Sequence, residues 1–296
     1  MRVLLVLALL GLSACVDTKK SDLDDWTFQT KLAGGMRLDR KPADAPVDAG
    51  LLVENFRRIA FDLEPDPFGT GAEVPEDERP PMLRRWEEQI RLQIIAASGT
   101  KAGVRREIYG FMDHLSEITG IGFKPSNDFL VNAEREDPPN IFVILGDGAE
   151  FDEVIKMLEF ERDGEDQGSV YDALGEFLKI WHLSYSPCAG QSYTEHDAKG
   201  ERGRIQFGIV VIRTDLRAPM TESCIEEELA QTMGLMNDHP DVRPSLFNDD
   251  EEFALMTEHD ELLLRILYDD RLKPGMTPEQ AMPIVRQIAR ELKPGA

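Results

Sequence analysis

The sequence predicts a single α+β domain that spans residues 51–296. Three runs indicate strands: Ile90–Ile94 has apolar residues at alternate positions, Ile141–Leu145 is unbroken, and Ile205–Ile212 is rich in β-branched residues. Helical patterns separate and follow these runs, and no linker-like segment divides the region. The apolar fraction of 42% is ordinary for a folded chain, so we expect a sizeable core.

The helices are predicted from apolar residues that recur three or four positions apart. In chain order these patterns cover residues 52–63, 104–118, 151–158 and 170–181, then a helix from near Glu222 and two C-terminal helices. The last helix has a clear start, since Thr277 can cap it, Pro278 suits its first position and Gln280 completes a capping box. Proline, glycine and polar residues predict loops at residues 64–81 and 184–203.

The N-terminus carries an export signal over residues 1–14, with one positive charge, a short apolar run and small residues. Its end, Leu12-Ser13-Ala14-Cys15, resembles the lipobox of bacterial lipoproteins, which implies cleavage before Cys15 and a lipid on that cysteine. Residues 15–50 contain few large apolar side chains and are predicted to be a tether. Val16 is not the aspartate that marks inner-membrane retention in enteric bacteria, which favours the outer membrane. The chain is therefore expected to be a membrane-anchored lipoprotein that faces the periplasm or the cell surface.

The net charge limits the classes of partner that the chain could bind, and the cysteine count predicts how its thiols are used. The formal net charge of −23 argues against nucleic acid and against electrostatic binding to anionic lipid. Once Cys15 is assigned to lipid, Cys188 and Cys224 remain as an even pair in an oxidising compartment. They are predicted to form a disulfide; the alternative is two separate buried thiols.

The segment Cys224–His239 is the strongest candidate for a functional site, because it follows a predicted strand and opens a helix. It resembles the zinc-binding helix of metzincin proteases in spacing. Glu227 and Gln231 occupy the two histidine positions of that helix, and Glu228 occupies the position of the general base. Further along, Gly234 stands at the glycine and Asn237 at the third histidine of the longer motif.

The resemblance to metzincins continues towards the C-terminus. Phe247 stands where the methionine of the metzincin turn is expected, and Leu255–Tyr268 resembles the closing segment of matrixin-like domains. The segments Glu227–Asp238 and Phe247–Asp249 also resemble the bacterial family catalogued as domain of unknown function 2927, over residues 51–275. That resemblance implies a zincin-like (metallopeptidase-like) domain with a mixed sheet, a long N-terminal-subdomain helix and a motif helix, but no established activity.

The motif offers poor metal ligands. Zinc favours thiolate, imidazole and carboxylate, whereas Glu227, Gln231 and Asn237 supply one carboxylate and two neutral amides. Such a hard, weakly charged set suits Ca²⁺ or Mg²⁺ better and binds even these weakly; His239 could replace only one ligand. Without a metal-bound water, Glu228 has nothing to activate. We expect no cofactor, zinc or calcium, and we interpret the two amides as part of a hydrogen-bond network that replaces the metal.

The acidic run Asn248–Glu252 lacks the spacing and glycine of an EF-hand, so it is predicted to be a solvated turn. The leading functional hypothesis is a non-catalytic module that binds an extended peptide or envelope protein along an edge strand, with Arg204–Arg213 as the candidate strand. The alternative is an active metal-dependent peptidase or hydrolase with an atypical ligand set around Glu227, Glu228 and Gln231. A third possibility is an envelope-assembly factor.

Overall fold

A computed structural model describes residues 18–62, 81–96, 102–126, 137–147, 150–162, 174–175, 177–179, 181, 186–194 and 202–294. The predicted export signal, Cys15, residues 64–80 of the predicted loop at 64–81 and half of the predicted helix at 170–181 lie outside these residues. The helices are α1 (Thr18–Leu32), α2 (Ala49–Phe61), α3 (Ala102–Thr119), α4 (Glu150–Arg162), α5 (Met220–Gln231), α6 (Glu258–Leu267) and α7 (Pro278–Leu292). The strands are β1 (Ile90–Ala96), β2 (Phe123–Ser126), β3 (Ile141–Gly146), β4 (Cys188–Thr194) and β5 (Ile205–Arg213).

The strands form one mixed sheet in the order β2-β1-β3-β5-β4. Strands β2, β1, β3 and β5 are parallel, and β4 pairs with β5 in the antiparallel direction. Strand β3 is buried along its whole length, which explains its unbroken apolar run. Its alternate side chains enter two cores: Val143 joins the larger one with α2, α3 and α5–α7, and Phe142 joins the smaller one with Phe151 and Trp181. The α+β prediction and its three strands are confirmed.

Two predictions about strands are wrong. The loop predicted at residues 184–203 contains β4, whose sequence Cys188–Thr194 has few apolar residues and is extended because it pairs residue by residue with β5. Arg204–Arg213 was expected to be the edge strand, but β5 lies between β3 and β4. The outer edge on this side of the sheet therefore belongs to β4. Strand β2 was not predicted; it is short and contains Pro125.

The N-terminal region is also folded, contrary to the predicted tether at residues 15–50. From Thr18 onward it contains α1, which buries Leu23 and Thr27. The carboxylate of Asp24 on this helix accepts a hydrogen bond from the backbone N–H of Arg217. Residues 36–45, which we call the N-terminal strap, follow α1 and bury Met36 at 3% exposure. These apolar anchors are too few and too scattered to give a periodic pattern.

The two C-terminal helices begin at capping boxes. At α7 the predicted box is present, since the side chain of Gln280 accepts a hydrogen bond from the N–H of Thr277 at 3.0 Å. At α6 the side chain of Asp260 accepts from the N–H of Thr257 at 2.8 Å. Among the described helices, none combines the length and the apolar character that crossing a membrane requires.

Candidate functional site

Helix α5 carries the motif and packs against β4 and β5. Ile225 and Leu229 are fully buried and turn its apolar side into the larger core. The predicted disulfide is confirmed: Cys224 on α5 is bonded to Cys188 on β4, with the two Cα atoms 5.8 Å apart. The motif helix is therefore covalently joined to the edge strand of the sheet.

Three consecutive glutamates, Glu226 to Glu228, lie on α5, and the first of them, Glu226, has a structural role. Its carboxylate accepts hydrogen bonds from Nη1 and Nη2 of Arg40, at 2.9 and 2.6 Å, and from the N–H of Met256 at 2.7 Å. Because Glu226 is buried at 8% exposure, these donors offset the loss of hydration that a buried carboxylate suffers. Arg40 belongs to the N-terminal strap, so this contact ties the strap to α5.

The second glutamate, Glu227, lies among other carboxylates. Burial raises the pKa of Glu227 well above its ordinary value, and the negative charges of Glu251, Asp238, Glu228 and Asp249 raise it further. The same causes act on two neighbours: burial and Asp249 raise the pKa of Glu251 to about 7, and partial burial raises the pKa of Asp249. We call these five residues the carboxylate cluster. The pKa values of Glu227, Glu251 and Asp249 are raised because like charges at short range disfavour ionisation of one another in a poorly solvated place.

The third glutamate, Glu228, faces the edge strand. Its side chain lies so close to Gly190 on β4 that a Cβ atom there would come within 2.7 Å of its Oε2. Glycine is therefore the residue that lets β4 pass directly over the carboxylate. The candidate general base thus lies beneath the edge strand, at 6% exposure.

The two amides of the motif are engaged in hydrogen bonds within the domain. The side-chain nitrogen of Gln231 donates to both oxygens of Asp238, at 2.9 and 3.0 Å. The side-chain nitrogen of Asn237 donates to the carbonyl of Ile59 in α2 at 2.8 Å. These contacts match the interpretation of the amides as a network that holds the helix and the following turn together.

Glycine is required at position 234, in the turn after the motif helix, for a steric reason. Its φ of +114° lies in a region that favours glycine, and a Cβ atom would come within 2.0 Å of the carbonyl oxygen of Arg84. His239 follows on the turn, where its Nδ1 accepts from the N–H of Asp241 at 3.0 Å. Phe247 is fully buried below this turn and accepts from the N–H of His239 through its carbonyl.

A metal would find few ligands here. Within the described residues, no group of three or more His, Cys, Asp or Glu side chains has the arrangement of a metal site. Glu227 has carboxylates as neighbours, but the amide nitrogens of Gln231 and Asn237 point their hydrogens at Asp238 and at a backbone carbonyl. This donor set therefore does not fit zinc.

Three contributors to this region were missed from the sequence. Asn248 was predicted to lie in a solvated turn, but it is buried and donates to the carbonyls of Pro240 and Val242, at 2.8 and 3.0 Å. Glu251, in the same run, joins the carboxylate cluster, and Arg40 reaches Glu226 from the predicted tether. No local pattern marks Glu251 or Arg40, because their contacts are made with distant parts of the chain.

Comparison with known proteins gives a family. No curated protein matches the chain. The family described as protein of unknown function (DUF2927) matches residues 50–287, which run from the start of α2 into α7 and include the whole sheet. This chain therefore belongs to the DUF2927 family.

Proposed function

We propose that this chain is an exported, lipid-anchored protein whose zincin-like domain binds an extended polypeptide and does not catalyse hydrolysis. The observation that carries the proposal is the position of β4. It is an edge strand, it is joined to the motif helix by the Cys188–Cys224 bond, and it runs directly over Glu228.

The zincin-like part of the proposal is supported by the order and direction of the elements. A mixed sheet precedes the motif helix, and its one antiparallel strand lies at the edge beside that helix. A glycine turn at Gly234 follows the helix, and the carbonyl of the buried Phe247 accepts from the N–H of His239, two residues after the third-ligand position. These features follow the spacing on which the resemblance to metzincins rests.

The non-catalytic part is supported by the chemistry of the motif. Gln231 and Asn237 stand where metal-binding histidines would be needed, and their amides are engaged with Asp238 and Ile59. A carboxylate such as Glu228 is too weak a base to deprotonate water unless a Lewis acid lowers the pKa of that water. A binding role requires neither metal ligands at positions 231 and 237 nor a general base at Glu228.

The ligand is inferred from the edge strand and the charge beside it. Among the described residues no strand pairs with the outer edge of β4, and an edge of this kind can accept a strand from another chain. Glu228 and the rest of the carboxylate cluster give this region negative charge. We therefore expect basic side chains in the bound segment, since like charges would be repelled.

The binding proposal can be tested with labelled peptides of basic, neutral and acidic composition, by fluorescence anisotropy on the purified chain. The basic peptide should bind most tightly, and Gly190→Ala should weaken it by at least about tenfold, because the added Cβ displaces either β4 or Glu228. Gly110→Ala in α3 is the matched control, since a Cβ there meets nothing within 4 Å. Binding that Gly190→Ala leaves intact would contradict docking at β4.

Metal analysis of the same protein separates binding from hydrolysis. We expect far less than one zinc per chain and no cleavage of the bound peptides. Stoichiometric zinc, together with cleavage that Glu228→Ala abolishes, would establish the atypical hydrolase instead.

The anchor is tested separately by cell fractionation. Cys15→Ala should release the protein from the membrane fraction or leave it uncleaved, because several acyl chains are needed for stable attachment and each buried CH₂ contributes about 0.8 kcal/mol. Wild-type protein with Met1 intact in the cytoplasm would refute export.

A further inference from the structure

The N-terminal strap runs beside the turn that carries part of the carboxylate cluster. The N–H groups of Met36 and Arg37 donate to the carbonyls of Glu251 and Glu252, at 2.8 and 2.9 Å. In return, the N–H of Ala254 donates to the carbonyl of Arg37 at 2.9 Å. The strap and residues 251–254 therefore form a short two-stranded contact, in the parallel direction.

Side chains reinforce this contact at both ends. Arg37 binds Glu252 at 3.0 Å and lies 4.6 Å from the ring centroid of Phe253. Arg40 binds Glu226 on the motif helix through both guanidinium nitrogens. The strap thus contacts the turn and α5 together, and these two elements carry four of the five residues of the carboxylate cluster.

The backbone at the junction adopts a conformation that side chains disfavour. Met36 and Glu251 have φ of 54° and 53°, both left-handed, and one hydrogen bond joins them. A non-glycine residue is disfavoured in this region, so the surrounding contacts must hold it there. Gly35 completes the junction, since a Cβ there would meet the carbonyl oxygen of Glu251 at 2.9 Å.

We propose that the strap is a latch that holds the turn at residues 249–252 against the motif helix, so that release of the strap frees Glu251 from Glu227. The latch would couple the N-terminal segment to the candidate site through backbone contacts. It does not require a particular ligand at β4, so it stands or falls separately from the proposed binding function.

Native-state hydrogen exchange of the full wild-type chain tests the latch without any substitution. The amides of residues 36–37 and 251–254 should exchange through one shared opening, with a free energy below that of global unfolding. Separate opening free energies for the strap and the turn would overturn the proposal.

Substitution of Arg40 tests the direction of the coupling. Arg40→Gln should speed exchange in the strap and in the turn by the same factor, and carbon-13 NMR should show the titration midpoint of Glu251 moving down towards an ordinary glutamate. The groups that face Glu251 in this titration are Glu227 on α5 and Asp249 on its own turn. A strap that only adds stability would leave the Glu251 midpoint unchanged, and that result would overturn the latch.

Two further variants keep this test decisive. Arg57→Gln removes an ion pair with Asp62 at the end of α2, and should change neither the exchange of the turn nor the Glu251 midpoint. If Arg40→Gln fails to fold, Gly35→Ala displaces the strap from the other end and should give the same two changes. Unchanged exchange in the turn of Gly35→Ala, with the strap itself exposed, would contradict the latch.

Discussion

Two acidic regions of the domain differ in what surrounds their carboxylates. Asp260 is fully buried, yet it accepts from the hydroxyl of Ser245 at 2.6 Å and from the N–H groups of Leu246 and Thr257 at 3.0 and 2.8 Å. His259 adds a contact from Nδ1 at 3.1 Å. In the carboxylate cluster, by contrast, the charged neighbours of Glu227 are other acids.

The difference separates a structural carboxylate from a candidate binding surface. Donors around Asp260 replace its lost hydration and fix the start of α6, so the group is satisfied where it is. In the carboxylate cluster, the neighbours that raise the pKa of Glu227 are all acids, and such a grouping of carboxylates favours a cationic partner. Burial alone would not distinguish the two.

The largest effect is expected from removing the satisfied carboxylate. Asp260→Ala should lower the free energy of unfolding by about 3–5 kcal/mol, because several buried donors lose their common acceptor. Urea denaturation gives the change, and Asp260→Asn, which keeps one carbonyl oxygen, should cost less. A loss below about 1 kcal/mol would mean that this network is not the anchor described above.

In the motif region the Cys188–Cys224 disulfide contributes to the free energy of unfolding, as the hydrogen bonds do around Asp260. The double variant Cys188→Ser/Cys224→Ser should lose about 4 kcal/mol on the chain-entropy estimate for a separation of 36 residues. The reduced wild-type protein should match the variant in the same denaturation measurement. Equal stability of the oxidised and reduced forms would show that β4 is held by its pairing with β5 alone.

A smaller effect is expected at the edge of the carboxylate cluster. Gln231→Leu should destabilise the domain by about 1–3 kcal/mol, because Asp238 loses the amide that binds both of its oxygens. Gln287→Leu is the control: it removes a similar bond to Glu291, 2.9 Å long, on the exposed face of α7. That change should stay within about 0.5 kcal/mol.

The smallest effect is a dependence of stability on pH with an unusual sign. The pKa of Glu251 is raised to about 7, so between its ordinary value and pH 7 the folded state binds more protons than the unfolded state. Stability therefore falls as pH rises through this window, and the raised pKa values of Glu227 and Asp249 act in the same direction. Groups whose pKa is lowered, such as Asp44 and Glu252, titrate below the window.

Thermal unfolding at pH 5.5 and pH 8 measures this dependence. The melting temperature should be higher at pH 5.5 by about 2–4 °C for each kcal/mol of coupling, and Glu251→Gln should reduce the difference. A melting temperature that rises with pH in the wild type would mean that the cluster is better solvated than its surroundings imply.

The sequence predicts the parts of this molecule that depend on local patterns. The unbroken apolar run Ile141–Leu145 indicates a buried strand. The amide side chain of Gln231 indicates a poor metal ligand where a histidine would be needed. Strand β4 could not be predicted, because its extension comes from pairing with β5. The contact between Arg40 and Glu226 joins residues 186 positions apart, so the strap carries no local signal that distinguishes it from a tether.

The docking of α1 has a consequence for the range over which this protein could act. The helix begins at Thr18 and is fixed to the domain through Leu23, Thr27 and Asp24. If Cys15 carries the lipid, as proposed, it precedes Thr18 by three positions in the sequence, a separation that spans at most about 10 Å. The domain would then rest at the level of the lipid headgroups, and its partners would be those that approach the same leaflet.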